Sequence, residues 1–292
     1  MNFGFKQTVK YLAPPCLIDL ARRLKMIVRR ERPEWECIPE GWARMQVDSN
    51  IKGWNVGSVL EAYKAKWPAF VRQLEGTAPL GTSPESHTLQ QNDLALHNTM
   101  MVYAYALTLA SWQKASITML DWGGGIGHYY LISKTLLPGL EIDYHSKDMP
   151  VFIEHGRRLF PQAHFYADES CLTQRYDFVL ASTSLHYSQD WSVVLARLAK
   201  ATAGYILITQ LPIVYQSRSF VFVQRPYRYG YNTEYLGWCL NRAEFLDRAQ
   251  AAELELVREF LIGHQVPIAR APEPCEYRAF LFRPRTSNVG RN

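Results

Sequence analysis

The sequence predicts a doubly wound α/β fold, in which helices cover both faces of a mainly parallel sheet. From Ser116 onward, strand-like apolar runs alternate five times with helical patterns, as in chains built from parallel βαβ units. Residues 178–181 and 206–208 are apolar at every position, which is typical of strands that are buried on both faces.

The predicted elements follow one another at short intervals. Strands are predicted over residues 117–120, 140–147, 164–167, 176–181, 205–209, 254–262 and 275–282. Helices are predicted over residues 59–75, 90–112, 128–137, 151–160, 190–200 and 241–252. The last two strands have no helix between them, so we expect a sheet of seven strands with an antiparallel final hairpin.

Local signals place several helix ends. Pro150 is expected at the start of a helix, where its missing N–H costs nothing. Ser188 is a candidate cap for the helix over residues 190–200, and Gly204 suits its C-terminal end. Asn241, with Glu244 three residues later, forms a capping box.

The composition is that of a protein with a sizeable core. Of the 292 residues, 48% are hydrophobic and 20% charged, which excludes wholesale disorder. No apolar run approaches the ~18 residues of a membrane-spanning helix. The five cysteines form no C-x-x-C pair, which argues against a disulfide framework and a cysteine zinc site. Without a secretory apolar segment after the first methionine, we expect a cytoplasmic protein.

The positive charge is concentrated at the N-terminus. Residues 1–32 hold eight basic side chains against Asp19 and Glu31. From Leu17 onward, apolar residues at helical spacing fall on the side of the predicted helix opposite the arginines. This indicates either a helix bound at an anionic membrane surface or a docking helix with a solvated basic face. Nucleic acid is not expected, because basic and aromatic residues do not interleave here.

We predict three regions from the basic N-terminus, the linker and the start of the strand–helix alternation. Residues 1–88 form a basic helical arm and cap that ends in a Gly/Pro/Ser/Thr-rich linker, residues 89–285 form the α/β domain, and residues 286–292 form a disordered tail. No feature of the sequence predicts an oligomeric state.

A glycine loop follows the first strand of the sheet. Residues 121–127 read Asp-Trp-Gly-Gly-Gly-Ile-Gly. A dinucleotide fingerprint that starts at Gly123 needs Gly or Ala at position 128, where this chain has His128. An acid two residues before the glycines suits a ligand with an amino-acid end, because Asp121 can meet its ammonium group while loop N–H groups bind its carboxylate.

Residues 120–127 resemble the first motif of class I S-adenosylmethionine-dependent methyltransferases, and the similarity extends over residues 117–282. The resemblance implies a Rossmann-like methyltransferase sheet and S-adenosylmethionine as the cofactor. The implied cofactor-binding residues of the loop are Asp121, Gly123, Gly124, Gly125 and Gly127. The alternative is a tight strand–helix turn that binds no ligand.

The same resemblance assigns three residues at later strand ends. Asp148 is expected to hold the ribose hydroxyls, with Asp143 as its rival, although an acid at a helix N-terminus can be favourable without a ligand. Asp168 is expected to meet the adenine amino group, or else to be a loop acid. Ser182 is expected in the wall near the methyl donor.

A narrower resemblance covers most of the chain. Its elements are Pro14-Pro15, Trp35 with Glu40-Gly41-Trp42, the loop, Asp148-x-Pro150 and Leu211-Pro212. They occur in similar order in a family of uncharacterised bacterial methyltransferase-like proteins that is often encoded among surface-polysaccharide genes. This resemblance implies a glycan acceptor, including a lipid-linked one.

His186 is the candidate catalytic residue. It follows the fourth strand, where a general base for a hydroxyl acceptor would face the methyl donor. Its ordinary pKa near 6.5 suits proton transfer at neutral pH. The alternative is a histidine that packs over the following helix.

Residues 215–238 are predicted to form the acceptor pocket. Eight of these 24 residues are aromatic, against 13% in the whole chain. The candidate acceptor-binding residues are Tyr215, Arg218, Tyr227 and Tyr229, with Trp42 as part of the opposite wall. Such a lid would stack on a sugar or an aromatic ring, while its arginines meet an anionic group. The alternative is a satellite core that packs against residues 33–75.

The sequence therefore predicts an S-adenosylmethionine-dependent methyltransferase that O-methylates a small molecule or a glycan and needs no metal. One alternative is an NAD(P)-dependent oxidoreductase on a similar sheet, which His128 disfavours. Another is a non-catalytic relative that serves as a scaffold in a biosynthetic assembly.

Overall fold

The computed structural model describes residues 32–85 and 92–285. Within them the strands are β1 (Trp35–Cys37), β2 (Ser116–Trp122), β3 (Glu141–Lys147), β4 (His164–Tyr166), β5 (Tyr176–Ser182), β6 (Thr202–Val214), β7 (Phe220–Gln224), β8 (Tyr235–Asn241), β9 (Leu254–Val266) and β10 (Cys275–Pro284). The helices are α1 (Gly57–Leu74), α2 (Leu94–Ser111), α3 (His128–Leu136), α4 (Pro150–Leu159), α5 (Trp191–Ala201) and α6 (Arg242–Ala251).

Seven strands lie side by side in the order β4-β3-β2-β5-β6-β10-β9. The first five strands of this order, from β4 through β3, β2 and β5 to β6, are parallel to one another. Strand β10 is antiparallel to both β6 and β9. The predicted doubly wound α/β fold with an antiparallel final hairpin is therefore confirmed. The chain runs from β2 outward to β4 and then returns to β5 on the other side of β2. The carboxyl ends of β2 and β5 thus flank the switch point where such folds bind ligands.

Strand β5 shows why both faces of the sheet are covered. Successive side chains of a strand point to opposite faces. Phe178 and Leu180 belong to the hydrophobic core beneath α2, whereas Val179 and Ala181 belong to the core beneath α5. All four side chains are fully buried, as the continuous apolar run predicts.

Strands β1, β7 and β8 extend the sheet beyond the seven predicted strands. Strands β7 and β8 form an antiparallel hairpin, β1 pairs with β7, and β8 pairs with the end of β6. Much of residues 215–238, the segment predicted to form the acceptor pocket, belongs to this hairpin. A compact unit begins at Trp35, because β1 is part of the sheet. The division into an arm, a domain and a tail stays a prediction.

The local signals at helix ends succeed in part. The Glu244 N–H donates to Asn241 Oδ1 at 3.1 Å, which confirms Asn241 as the N-cap of α6, and Pro150 is the first residue of α4. The reciprocal half of the capping box is wrong, because the Asn241 N–H donates to Ser219 Oγ and not to Glu244. The Ser188 cap is wrong, because Asp190 holds the N-cap position of α5. Gly204 lies inside β6, not at a helix end, since the strand begins directly after α5.

No helix in residues 32–85 and 92–285 is long and apolar enough to cross a membrane. Apart from Arg32, the predicted basic arm lies outside the described residues, and so does the predicted tail over residues 286–292.

Candidate functional site

The glycine loop connects β2 to α3 through three residues in left-handed conformations. Gly123, Gly125 and Gly127 have φ angles of +82°, +57° and +92°. Glycine adopts these angles without the steric penalty that a side chain brings. A Cβ on Gly127 would also lie 3.0 Å from the Phe160 ring. The loop shape therefore depends on glycine at these positions.

Asp121 lies directly beneath this loop. A Cβ on Gly124 would come within 2.6 Å of Asp121 Oδ2 and 2.5 Å of Ser146 Oγ. The Tyr144 hydroxyl donates to Asp121 Oδ2 at 2.5 Å. Asp121 is only 1% exposed, and its Oδ1 has no hydrogen-bond partner among the residues that the structure describes. A buried acceptor without a partner is costly. Such an acceptor is expected where a ligand supplies the missing hydrogen-bond donor.

Burial raises the pKa of Asp121 to about 8, although the Tyr144 hydrogen bond acts in the opposite direction. The nearby carboxyl groups of Asp148 and Glu85 raise it further. A cation bound at Asp121 would reverse this shift, because an opposite charge nearby favours the ionised form.

Asp148, just after β3, closes the other side of the loop. Its Oδ2 accepts the Gly125 N–H at 2.6 Å, and its Oδ1 accepts the Met149 N–H at 2.6 Å. Burial raises the pKa of Asp148, and these two N–H donors partly offset the rise. The rival, Asp143, contacts His145 and His164 instead. The structure therefore brings Asp148, and not Asp143, to the loop.

Two residues at the loop were not found from the sequence. The Tyr63 ring of α1 would lie 3.3 Å from a Cβ on Gly125, and the Tyr63 hydroxyl donates to Glu85 Oε1 at 3.1 Å. Burial raises the pKa of Glu85 to about 7. Three carboxyl groups thus surround the loop, which favours a cationic ligand. Nothing in the linker around Glu85 signals this role, and Tyr63 has the spacing of an ordinary core residue.

Ser182 lies beside the helix that follows the loop, and its place near the methyl donor stays a prediction. It ends β5, it is 8% exposed, and its Oγ lies 2.8 Å from the Tyr129 hydroxyl. Since Tyr129 belongs to α3, this hydrogen bond ties the end of β5 to the helix that follows the loop. His128, the first residue of α3, is buried, and burial lowers its pKa to about 4.

His186 has a different environment from the one that a general base needs. The ring is fully buried in the short 3-10 helix Leu185–Tyr187. Neither ring nitrogen has a hydrogen-bond partner among the described residues. Burial lowers the pKa of His186 to about 3, far from the operating pH at which a base is most effective. The base role stays a prediction, and this geometry favours the alternative of a packing residue.

Asp168 lies on the surface after β4. Its Oδ1 accepts hydrogen bonds from the Ser170 hydroxyl at 2.5 Å and from the Ser170 N–H at 3.0 Å. These bonds lower its pKa. Asp168 therefore already caps the short helix Glu169–Thr173, and its contact with adenine stays a prediction.

The candidate acceptor residues are not gathered into one lid. Tyr215 is exposed and donates to Glu276 Oε1 at 2.6 Å, and Arg218 is exposed. The Tyr227 hydroxyl donates to Glu234 Oε1 at 2.5 Å. Trp42 packs against Trp238 in the core beside β7 and β8, with ring centroids 6.3 Å apart.

The expectation of arginines that face an anionic acceptor needs a correction at Arg225. Arg225 is buried and lies 2.9 Å from Glu36 and 3.3 Å from Glu234. Its charge is matched inside the protein. The satellite-core alternative therefore holds for this part of residues 215–238.

A smaller aromatic wall does reach the glycine loop. Tyr229 lies 5.7 Å from Tyr231, which lies 6.3 Å from Tyr63. Trp54 stacks on Tyr235 at 4.2 Å and also meets Tyr231. Ile126 of the loop packs in the same cluster. Of the predicted acceptor residues, Tyr229 is the one that these ring contacts connect to the loop.

Comparison with known proteins adds likeness in structure alone. No family model matches the chain, and no curated protein sequence matches it either. A S-adenosylmethionine-dependent methyltransferase from Clostridium acetobutylicum is 9% identical, over 64% of this chain and 92% of that chain, with a TM-score of 0.44. The CcbJ methyltransferase from Streptomyces caelestis is 16% identical, over 63% and 89%, with a TM-score of 0.43.

A third similar structure is 1,6-didemethyltoxoflavin-N1-methyltransferase from Burkholderia thailandensis, solved with 1,6-didemethyltoxoflavin and S-adenosylhomocysteine bound. It is 14% identical, over 82% of this chain and 98% of that chain, with a TM-score of 0.43. Identities and scores this low do not transfer an activity or a ligand.

Proposed function

We propose that this chain is a S-adenosylmethionine-dependent methyltransferase that binds its cofactor at the glycine loop between β2 and α3. The observation that carries the proposal is the buried Oδ1 of Asp121, which lacks a hydrogen-bond partner within residues 32–85 and 92–285 and lies beneath three glycines in left-handed conformations. Asp148 lies on the opposite side of the same loop.

The residues present fit a ligand with an amino-acid end and a ribose. Asp121 would accept the ammonium group. Asp148 would accept the ribose hydroxyls while it keeps the Gly125 N–H, because each carboxylate oxygen can accept more than one hydrogen bond. When bound, S-adenosylmethionine supplies a methyl group that is already activated by its sulfonium. The protein's task is then to hold donor and acceptor in line and to exclude water.

Asp121 also makes binding depend on pH. Because burial raises its pKa to about 8, the free protein holds a proton there at neutral pH. An ammonium group at Oδ1 favours the ionised carboxylate, so binding releases that proton. We expect affinity to weaken by up to about tenfold per pH unit below pH 8.

The acceptor is proposed to be a hydroxyl of a small molecule or a glycan. The rings of Trp54, Tyr229 and Tyr231 beside the loop support a ligand with a flat apolar face. A lipid-linked surface polysaccharide, reached from the inner face of a membrane through residues 1–32, rests on the narrower family resemblance and on the charge of that arm.

The first test is calorimetric titration with S-adenosylhomocysteine and, separately, with NAD⁺. We expect binding of the former only, and loss of that binding in Gly125→Arg, whose side chain would meet Tyr63. Gly139→Arg is the matched control, because nothing lies within 4 Å of a Cβ there. Binding of NAD⁺ alone, or unchanged affinity in Gly125→Arg, would overturn the proposal. Binding of neither ligand would favour the scaffold alternative.

The second test identifies the acceptor. The chain is incubated with S-adenosylmethionine that carries a labelled methyl group and with a panel of cell-envelope glycans and metabolites. We expect the label in a hydroxyl-bearing species. Label that enters only nitrogen or carbon positions would contradict O-methylation.

A further inference from the structure

Three side chains with metal-binding chemistry meet on one face of the sheet, away from the glycine loop. Asp143 and His145 are two residues apart on β3, so they point to the same face. His164 on β4 is the register partner of His145. The backbone of these two strands alone therefore brings the three side chains together.

Their ligand atoms have the separations that a shared metal ion requires. His145 Nε2 lies 3.1 Å from Asp143 Oδ2, and His164 Nε2 lies 3.3 Å from Asp143 Oδ1. One ligand atom from each residue falls within a group that spans at most 4.8 Å. Two atoms bound to one tetrahedral zinc ion, each at about 2.0–2.1 Å, are roughly 3.3 Å apart.

The side of His145 that faces away from the cluster is also arranged as in metal sites. His145 Nδ1 lies 3.0 Å from both the Tyr166 hydroxyl and Gln174 Nε2, and the His145 side chain is only 6% exposed. In the tautomer whose Nδ1 donates to Tyr166, the lone pair of Nε2 points toward Asp143 and His164. A bound metal ion would select this tautomer over the one in which Nδ1 accepts from Gln174 and Nε2 donates to Asp143. Metal-ligating histidines usually have such a partner on the other nitrogen, which fixes the tautomer and the ring orientation.

We propose that Asp143, His145 and His164 bind a divalent transition-metal ion such as Zn²⁺. Two imidazoles and one carboxylate suit Zn²⁺, Ni²⁺ or Cu²⁺, whereas Mg²⁺ and Ca²⁺ prefer sites made of oxygen. Water completes the coordination, because the side chains of Asp143 and His164 are about half exposed. The ion ties the three-residue strand β4 to β3.

The test is calorimetric titration of the tag-free chain with Zn²⁺ and with Mg²⁺. We expect binding of one Zn²⁺ and no binding of Mg²⁺. His164→Ala should raise the Zn²⁺ dissociation constant more than about 100-fold, which exceeds the 10–100-fold loss of affinity that is typical when an outer-sphere partner is removed. His155→Ala is the matched control, since His155 is a partly exposed histidine of α4 outside the cluster, and it should bind Zn²⁺ as the wild type does.

Two further variants separate ligation from general effects on folding. Asp143→Asn should weaken Zn²⁺ binding strongly, whereas Tyr166→Phe should weaken it about tenfold. Zn²⁺ should raise the melting temperature of the wild type and of His155→Ala, but not that of His164→Ala. Equal affinity in wild type and His164→Ala, or no Zn²⁺ binding by the wild type at millimolar concentration, would overturn the proposal.

Discussion

Asp121→Asn is the substitution that probes the glycine loop most sharply, because the carboxyl group of Asp121 titrates far from its ordinary range. Burial raises its pKa to about 8, while an aspartate in the unfolded chain titrates near 3.9. Between these two pH values the folded chain holds a proton that the unfolded chain has released. The free energy of unfolding therefore falls as the pH rises, by about 1.4 kcal/mol per pH unit.

From pH 5 to pH 8 this loss amounts to about 4 kcal/mol for Asp121 alone. An amide does not titrate, so Asp121→Asn should remove this part of the pH dependence. The Tyr144 hydroxyl can still donate to the amide oxygen, which keeps the fold intact. The same variant should bind S-adenosylhomocysteine about 30-fold more weakly or worse, since loss of one partner of a buried charge pair costs about 2–5 kcal/mol.

The assay is denaturant unfolding of the ligand-free chain at a series of pH values, for the wild type and for Asp121→Asn. Asp168→Asn is the matched control. The pKa of the exposed Asp168 is lowered by Ser170, so its stabilising effect is already complete above pH 5 and is lost only in more acidic solution. Identical pH dependence in wild type and Asp121→Asn between pH 5 and pH 8 would refute the reasoning.

Three more substitutions test neighbouring parts of the account. Gly127→Ala should lower the free energy of unfolding by about 2 kcal/mol or more, because Gly127 has a φ of +92° and the new Cβ would contact the Phe160 ring. The control Gly139→Ala should have little effect, because that Cβ meets nothing within 4 Å. Equal shifts in melting temperature for the two variants would contradict this. Glu85→Gln should remove part of the decrease in the free energy of unfolding between pH 5 and pH 7, because burial raises the pKa of Glu85 to about 7. The same pH dependence in wild type and Glu85→Gln would argue against that burial. His186→Ala should lower the free energy of unfolding by about 3 kcal/mol, because it leaves a cavity where a fully buried ring was packed. A variant with wild-type stability and no turnover would instead support the base role.

The parallel part of the fold follows from local patterns, and the added strands do not. Continuous apolar runs such as residues 178–181 mark strands that are buried on both faces. Strand β1 pairs with β7 from almost the other end of the chain, and no local pattern reports such a pairing. Pro212 argues against a strand by the usual rule, yet β6 continues through it, and Pro212 lies opposite Tyr277 of β10.

Part of the candidate site can likewise be predicted from local patterns, and part cannot. Asp121, the glycines and Asp148 follow strand ends of a parallel sheet, and such ends gather at one edge, so their neighbourhood can be predicted. Tyr63 and Glu85 reach the loop through the packing of α1 and the linker, which sequence spacing does not encode. His186 stands at the predicted strand end, but its burial depends on rings brought in by β7 and by the following residue.

The most direct measurement is a crystal structure of the chain grown with S-adenosylhomocysteine at pH 8. We expect the ligand's ammonium group within hydrogen-bond distance of Asp121 Oδ1 and its ribose hydroxyls at Asp148. A nucleoside bound elsewhere, or an Asp121 Oδ1 that still lacks a partner in the complex, would contradict the assignment of the loop as the methyl-donor site.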